Sequence, residues 1–177
     1  GAGVADASEA IAASAGALDA SSAHTEGASS TSDADSLACV LDAVSALRAQ
    51  AATASGAGDW EAAAELYQKC CDQLGACAGS EGSASARAAL RKSLLNVAHA
   101  CTKLERWEEA RDASSEVIRV DPACATAYYR RGLALLGLDQ PDAAQWDLQR
   151  ASKLLPGNAR VSRALGRAKR APRSAPA

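Results

Sequence analysis

A period of 34 residues runs through the second half of the chain and constrains its fold more than any other feature. Small residues, leucines and prolines recur at this distance: Ala98 and Gly132, Leu104 and Leu138, Ala110 and Ala144, Pro122 and Pro156. A period of this length corresponds to one helix–turn–helix unit of a repeat protein. Gly166 lies a further 34 residues beyond Gly132, so one more helix is expected to continue the register. The period therefore predicts an all-α solenoid rather than a generic helical bundle.

An earlier copy of the unit is offset along the chain. Trp60 and Trp107 lie 47 residues apart, which is one period plus an insertion of 13 residues in the region between Gly75 and Ala88. Apolar residues at spacings of three and four mark the helix that opens this copy, with Ser36 as its expected N-cap. The sequence thus predicts three repeats and a C-terminal capping helix, at about 44–77, 91–124, 125–158 and 159–169.

The two ends of the chain differ from the repeats. Residues 1–35 are rich in Ala, Ser, Gly and Asp, and residues 170–177 contain two prolines. We expect a disordered acidic arm and a disordered basic tail. Residues 1–47 contain no Lys or Arg, and no acid follows Asp147, although the formal net charge is only −2. We expect both charged ends to be solvated, with no nucleic-acid partner.

Composition limits the core and the functional class. Phe and Met are absent and only three Trp and three Tyr are present, so the core must form between Ala-rich helices that approach closely. No apolar run approaches the roughly 20 residues of a membrane span, and we expect a soluble monomer with no membrane partner. The six cysteines contain no CxxC pair and His24 and His99 are the only histidines, so we expect reduced structural cysteines and no metal site.

No catalytic or cofactor-binding motif accompanies the repeat. The sequence contains no P-loop, glycine-rich dinucleotide turn or nucleophile elbow. His99 has no carboxylate or nucleophile in register, which favours a hydrogen-bonding role over catalysis. We therefore expect a binding scaffold without a cofactor rather than an enzyme. Because the chain begins at Gly1 and lacks Met, we also expect it to be a fragment, a processed form or an incomplete reading of a gene.

The concave face of the solenoid is predicted to be basic. In stacked helix pairs the first helix of each pair lines this face. The cations at its predicted positions, with no acid among them, are Arg48, Lys92, Arg130, Arg160, Arg163 and Arg167. A rigid cationic groove favours an extended acidic peptide, because guanidinium groups bind carboxylates with good geometry.

The stretch "AYYRRGLALLGL" sets two arginines side by side in an apolar helix. By register Arg130 points into the groove. Arg131 is rotated from it by about 100° and takes a position where the repeat packs an apolar side chain. We expect Arg131 to lay its stem along the second helix and to carry its charge outward, in a structural role.

The segments "SLLNVAHACTKLERWEEARDASSEVIRVDP" and "TAYYRRGLALLGLDQPDAAQWDLQRASKLLPGN" resemble the tetratricopeptide domains of co-chaperones. The long insertion and the extended second-repeat helix are most similar to the C-terminal domain of FKBP-type and cyclophilin-type immunophilins. The resemblance covers about Val44 to Lys169. It implies a right-handed solenoid that binds the C-terminal Glu-Glu-Val-Asp of heat-shock proteins 90 and 70 through a carboxylate clamp of two lysines, two asparagines and an arginine.

This chain keeps the clamp chemistry only in part. Arg48 and Ala52 stand where the family has the first lysine and the first asparagine, and Asn96 stands at the second asparagine. Thr126 replaces the second lysine, and Arg130 matches the arginine. Neighbouring cations would have to compensate for the lost one. The peptide-binding residues predicted in this way are Arg48, Lys92, Asn96, His99, Thr126, Arg130 and Arg163.

Three functions fit the sequence. The first is a cytoplasmic co-chaperone module that binds the acidic tail of heat-shock protein 90, or secondarily 70. The second is a tetratricopeptide adaptor whose altered clamp recognises a different acidic partner. The third is the non-catalytic C-terminal part of a larger peptidyl-prolyl isomerase, whose catalytic domain would lie outside this chain because residues 1–35 are too short to form it.

Overall fold

The computed structural model describes residues 27–78 and 84–172, and within these ranges every regular element is an α-helix. The helices are α1 (Gly27–Ala57), α2 (Trp60–Ala78), α3 (Ala84–Lys103), α4 (Trp107–Val120), α5 (Ala125–Gly137), α6 (Pro141–Leu154) and α7 (Ala159–Arg170). The chain divides between Ala34 and Asp35, and the packing described below is that of the second unit.

The helices pack in chain order as antiparallel pairs. α3 and α4 form the second pair and α5 and α6 the third, while α2 also packs on α3, α4 on α5 and α6 on α7. The first helices of successive pairs touch as well, because α3 contacts α5 and α5 contacts α7. These three helices share one face of the molecule. The predicted all-α solenoid of helix pairs with a capping helix is thereby confirmed.

Small residues recur where paired helices cross. Ala51 and Ala98 are fully buried, and a Cβ added to Gly132 would lie 2.7 Å from Cγ of Leu148. The matching positions of the second helices are also buried alanines: Ala63, Ala110 and Ala144. With no room for larger side chains at the crossings, Leu74 and Leu148 fill the space beside them. The period seen in the sequence is therefore the period of these close contacts.

Two helix boundaries differ from the sequence prediction. α1 begins at Gly27 rather than at Ser36, so it includes the end of the predicted arm. α2 continues through Gly75 to Ala78, into the region where the insertion between repeats was expected. Packing of the fully buried Leu74 outweighs the helix propensity cost of Gly75, roughly 1 kcal/mol. The rest of the predicted arm, residues 1–26, and most of the predicted tail, residues 173–177, lie outside the described residues.

The segment Asp35–Ala57 is long and apolar enough, by length and composition alone, to cross a membrane, contrary to the sequence expectation. The reason is its alanine content rather than a continuous run of large apolar residues. Its apolar stripe is used in the protein core, where Val44 packs with Cys70 and Leu74 of α2 and Ala86 of α3.

The cysteines are all free thiols, and Cys70, Cys71 and Cys101 are buried in the helix packing. Burial raises the pKa of each of these three thiols, that of Cys71 to about 12. They therefore remain protonated at neutral pH and contribute to packing as small apolar groups.

Candidate functional site

A cavity of about 730 Å³ opens on the face shared by α3, α5 and α7. Its walls combine three cations, a histidine, polar groups and apolar side chains: Trp60, His99, Thr102, Lys103, Thr126, Tyr129, Arg130, Leu133, Leu155, Asn158, Arg160 and Val161. None of these residues is acidic. The cavity is therefore a basic pocket with an apolar wall.

Arg130 is a half-buried cation of this cavity. Its Nη1 donates a hydrogen bond to the backbone carbonyl of Leu95 on α3. Among the described residues, no carboxylate forms an ion pair with it. Burial lowers the pKa of Arg130 to about 10, so the guanidinium is still charged at neutral pH. A half-buried charge without a counter-ion favours an anionic ligand.

Two further cations and an aromatic edge surround the Arg130 site. The rings of Trp60 and His99 meet edge to face with centroids 5.5 Å apart, and Nζ of Lys103 lies 5.6 Å from the Trp60 ring centroid. Desolvation of the imidazole lowers the pKa of His99, and the charges of Arg130, Lys103 and Arg160 lower it further. His99 therefore reports a positive potential in the cavity, and it is neutral at pH 7.

Helix caps fix two residues of the cavity wall. Asp59 Oδ1 accepts a hydrogen bond of 3.0 Å from the backbone N–H of Ala62, so it caps α2 and fixes Trp60 at the first position of that helix. Asn158 Oδ1 accepts from the backbone N–H groups of Arg160 and Val161, at 3.0 and 3.3 Å. This cap sets the start of α7 and with it the position of Arg160 at the cavity.

The structure brings together three of the seven predicted site residues. His99, Thr126 and Arg130 line the cavity. The other four do not line it: Arg48, Lys92, Asn96 and Arg163. The Nε of Arg48 is enclosed without a hydrogen-bond partner among the described residues, and its charge acts on the buried thiol of Cys70. Arg48 and Asn96 are half-buried, while Lys92 and Arg163 are exposed.

Lys103 and Trp60 were not predicted as site residues. Lys103 follows His99 by one helical turn on the same face of α3, so helical spacing alone could have found it. Trp60 opens the second helix of its pair, and nothing in the sequence points from there to the groove. Arg160 was predicted to line the groove but not to bind the ligand.

The adjacent Arg131 has a different environment from Arg130. Its Nε and Nη2 donate to the two carboxylate oxygens of Asp147, at 2.7 and 2.8 Å, and its Nη1 donates to Oγ of Ser115 at 3.4 Å. The expectation that its charge points outward is wrong, because Asp147 is almost completely buried and draws the guanidinium onto α6. The predicted stem-packing role needs no charged partner, and no sequence pattern indicated this ion pair.

No family model matches this chain. Among solved structures, the C-terminal tetratricopeptide domain of a putative FK506-binding protein of Plasmodium falciparum superposes with a TM-score of 0.65 at 17% identity, covering 73% of this chain and 88% of that one. The second tetratricopeptide domain of human RPAP3, solved with the HSP70 peptide SGPTIEEVD, gives 0.60 at 24% identity, covering 70% and 92%. The chain has the tetratricopeptide fold. The resemblance to immunophilin tetratricopeptide domains is thus confirmed at the level of fold.

One curated relative adds sequence similarity to this comparison. The peptidyl-prolyl cis-trans isomerase D of Eremothecium gossypii is 39% identical over 74 residues, which cover 40% of this chain and 20% of that protein. The tetratricopeptide chain described here thus matches about a fifth of the length of that relative.

Proposed function

We propose that this chain is a protein-interaction scaffold of the co-chaperone type, whose groove binds the acidic C-terminal peptide of heat-shock protein 90 or 70. The observation that carries the proposal is Arg130, a half-buried guanidinium in an open cavity with no carboxylate partner among the described residues. An acidic peptide supplies the missing counter-ion. Replacing water by a carboxylate contributes more binding free energy at a half-buried guanidinium than at the surface, because the local dielectric constant is lower.

The peptide bound by the human RPAP3 domain has the chemistry that this cavity requires. SGPTIEEVD ends in two glutamates, a valine and an aspartate, so its end combines negative charges with an aliphatic side chain. The cavity offers Lys103, Arg130 and Arg160 for the charges, and Leu133 and Val161 for the aliphatic group. By this proposal the protein works in the cytoplasm, where these chaperones and its reduced cysteines are both expected.

A second function is favoured by the two altered clamp positions. Ala52 offers no side-chain hydrogen bond and Thr126 offers no charge. A scaffold with these changes fits an adaptor that recognises another acidic segment. The relation to an isomerase of which the matched segment is only 20% also fits the non-catalytic part of a larger prolyl isomerase.

A calorimetric titration of the chain with SGPTIEEVD tests the leading proposal. We expect micromolar binding that weakens with added salt, since the contacts are ionic. No detectable binding would exclude a chaperone tail as ligand. The adaptor function is then tested by a pull-down in which Arg130→Ala must lose a partner that lacks an acidic C-terminus.

A further inference from the structure

The cavity lies one repeat further along the solenoid than the clamp of the resembling family. Its lining residues come from the start of α2, from α3, α5 and α7, and from the turn between α6 and α7. The described part of α1, which would carry two of the five clamp positions, contributes none. Arg48, the cation at the first of these positions, is not among the residues that line the cavity.

The repeat register gives the same displacement. Arg160 lies 34 residues after Thr126, so the cation absent from the third repeat is present at the equivalent position of the capping helix. By the same register, His99 is the second-repeat counterpart of Ala52, and Arg130 is the third-repeat counterpart of Asn96. We call the residues one repeat beyond the clamp positions the displaced set. Its polar members, His99, Arg130 and Arg160, all lie in the wall of one cavity.

The cations of the cavity are available to a ligand. Among the described residues, none of Lys103, Arg130 and Arg160 forms an ion pair. Their charges all act on His99, so the three groups share one region of space. Three unpaired cations in one cavity attract a group with more than one negative charge. A C-terminal aspartate is such a group, since it carries an α-carboxylate and a side-chain carboxylate.

An apolar wall completes the cavity. Leu155, in the turn before α7, is 40% exposed and lines the cavity together with Tyr129, Leu133 and Val161. An exposed leucine beside a cationic pocket favours a ligand with an aliphatic side chain next to its charged end.

From these observations we infer that the C-terminal residue of the ligand binds between α3, α5 and α7, held by Lys103, Arg130 and Arg160, so that the capping helix takes the part that α1 plays in the family clamp. The inference rests on the proposed function, because it names the groups that hold the end of the same peptide. Its new content is that Arg160 of α7, rather than Arg48 of α1, determines affinity for the dianionic end.

The first test uses N-acetyl-aspartate, the smallest mimic of a C-terminal aspartate, and follows the imidazole resonances of His99 by NMR. The variants are Arg160→Gln, Arg48→Gln and Lys169→Gln, the last being a matched control that removes one charge from an exposed position of α7. We expect saturable shifts in the wild type and in Lys169→Gln, and an affinity at least about tenfold lower in Arg160→Gln. No saturable shift of His99 in the wild-type chain would overturn the inference.

The second test repeats the comparison with SGPTIEEVD by calorimetry. Arg160→Gln is expected to weaken binding by about tenfold or more, and Arg48→Gln by clearly less. Equal or greater loss in Arg48→Gln, with Arg160→Gln close to wild type, would overturn the displaced set while leaving the proposed function intact. Saturable binding of N-acetyl-aspartate without binding of the peptide would overturn the chaperone ligand while supporting the anion site.

Discussion

Arg131 of α5 and Asp147 of α6 form a two-point ion pair in the convex half of the third repeat, with nitrogen–oxygen distances of 2.7 and 2.8 Å. Asp147 is 1% exposed, so its carboxylate depends on this arginine for its charge balance. The guanidinium also donates to Ser115 of α4 and lies 5.7 Å from the ring centroid of Tyr128. Arg131 therefore links three helices, whereas its neighbour Arg130 remains available in the groove.

Removal of Arg131 is predicted to destabilise the domain strongly. Arg131→Ala leaves the Asp147 carboxylate buried and unpaired, which costs about 3–5 kcal/mol of unfolding free energy. Urea denaturation measures the loss. In the matched control Arg119→Ala, an exposed pair with Glu116 is removed and the loss should stay below about 1 kcal/mol. Equal losses in the two variants would contradict the role assigned to Arg131.

Arg130 is predicted to contribute to binding at the expense of stability. Arg130→Met keeps most of the volume and removes a desolvated charge that has only a carbonyl partner, so the unfolding free energy should be unchanged or higher by about 1 kcal/mol. Binding of SGPTIEEVD should be lost. Denaturation and calorimetry are carried out on the same protein sample. A variant that binds the peptide normally, or that is unfolded without denaturant, would contradict the prediction.

The close helix crossings are predicted to exclude even one methyl group. A Cβ at Gly137 would lie 2.2 Å from Cδ2 of Trp107, so Gly137→Ala must displace the indole and should cost about 1–3 kcal/mol. Gly75→Ala is the control, since nothing lies within 4 Å of its added Cβ and α2 is helical there. That change should stabilise the domain by about 0.5–1 kcal/mol, as alanine is the better helix former. Thermal denaturation of both variants measures the two stability changes, which should have opposite signs.

The lowered pKa of His99 predicts a pH dependence with a definite sign. Desolvation and the charges of Arg130, Lys103 and Arg160 disfavour protonation of His99 in the folded state. The unfolded chain therefore binds more protons below pH of about 6.5, and stability falls as the pH falls through this region. His99→Gln should lose less stability than the wild type between pH 7.5 and 5.5. Because His24 is present in both proteins, the difference between them is due to His99. Parallel profiles of stability against pH would contradict the prediction.

Most of the architecture could be predicted because the repeat is a property of close packing. Ala98, Gly132 and Ala144 stand where backbones touch, and such positions tolerate so few residues that the period is visible in one sequence. Helix ends were harder to predict. The extension of α2 past Gly75 depends on the tertiary packing of Leu74, which no local pattern contains.

The candidate site could be predicted only where register decides it. Register placed Arg130, His99 and Thr126 on the groove, and they do line the cavity. It could not show that Arg48 and Asn96 lie outside the cavity lining, because side-chain direction depends on neighbours from other helices. The buried Asp147 was missed for the same reason, since an acid on an amphipathic helix is typical of an exposed position.

By the proposed function, the cavity around Arg130 binds a free acidic C-terminus. The most direct test is calorimetric titration of the chain with SGPTIEEVD as the free acid and as its C-terminal amide, at the same salt concentration. Amidation removes one carboxylate and leaves every side chain in place. We predict measurable binding of the free acid and an affinity for the amide lower by at least about tenfold. Equal affinities for the two peptides, or no binding of the free acid, would contradict the binding of a free C-terminal carboxylate in this cavity.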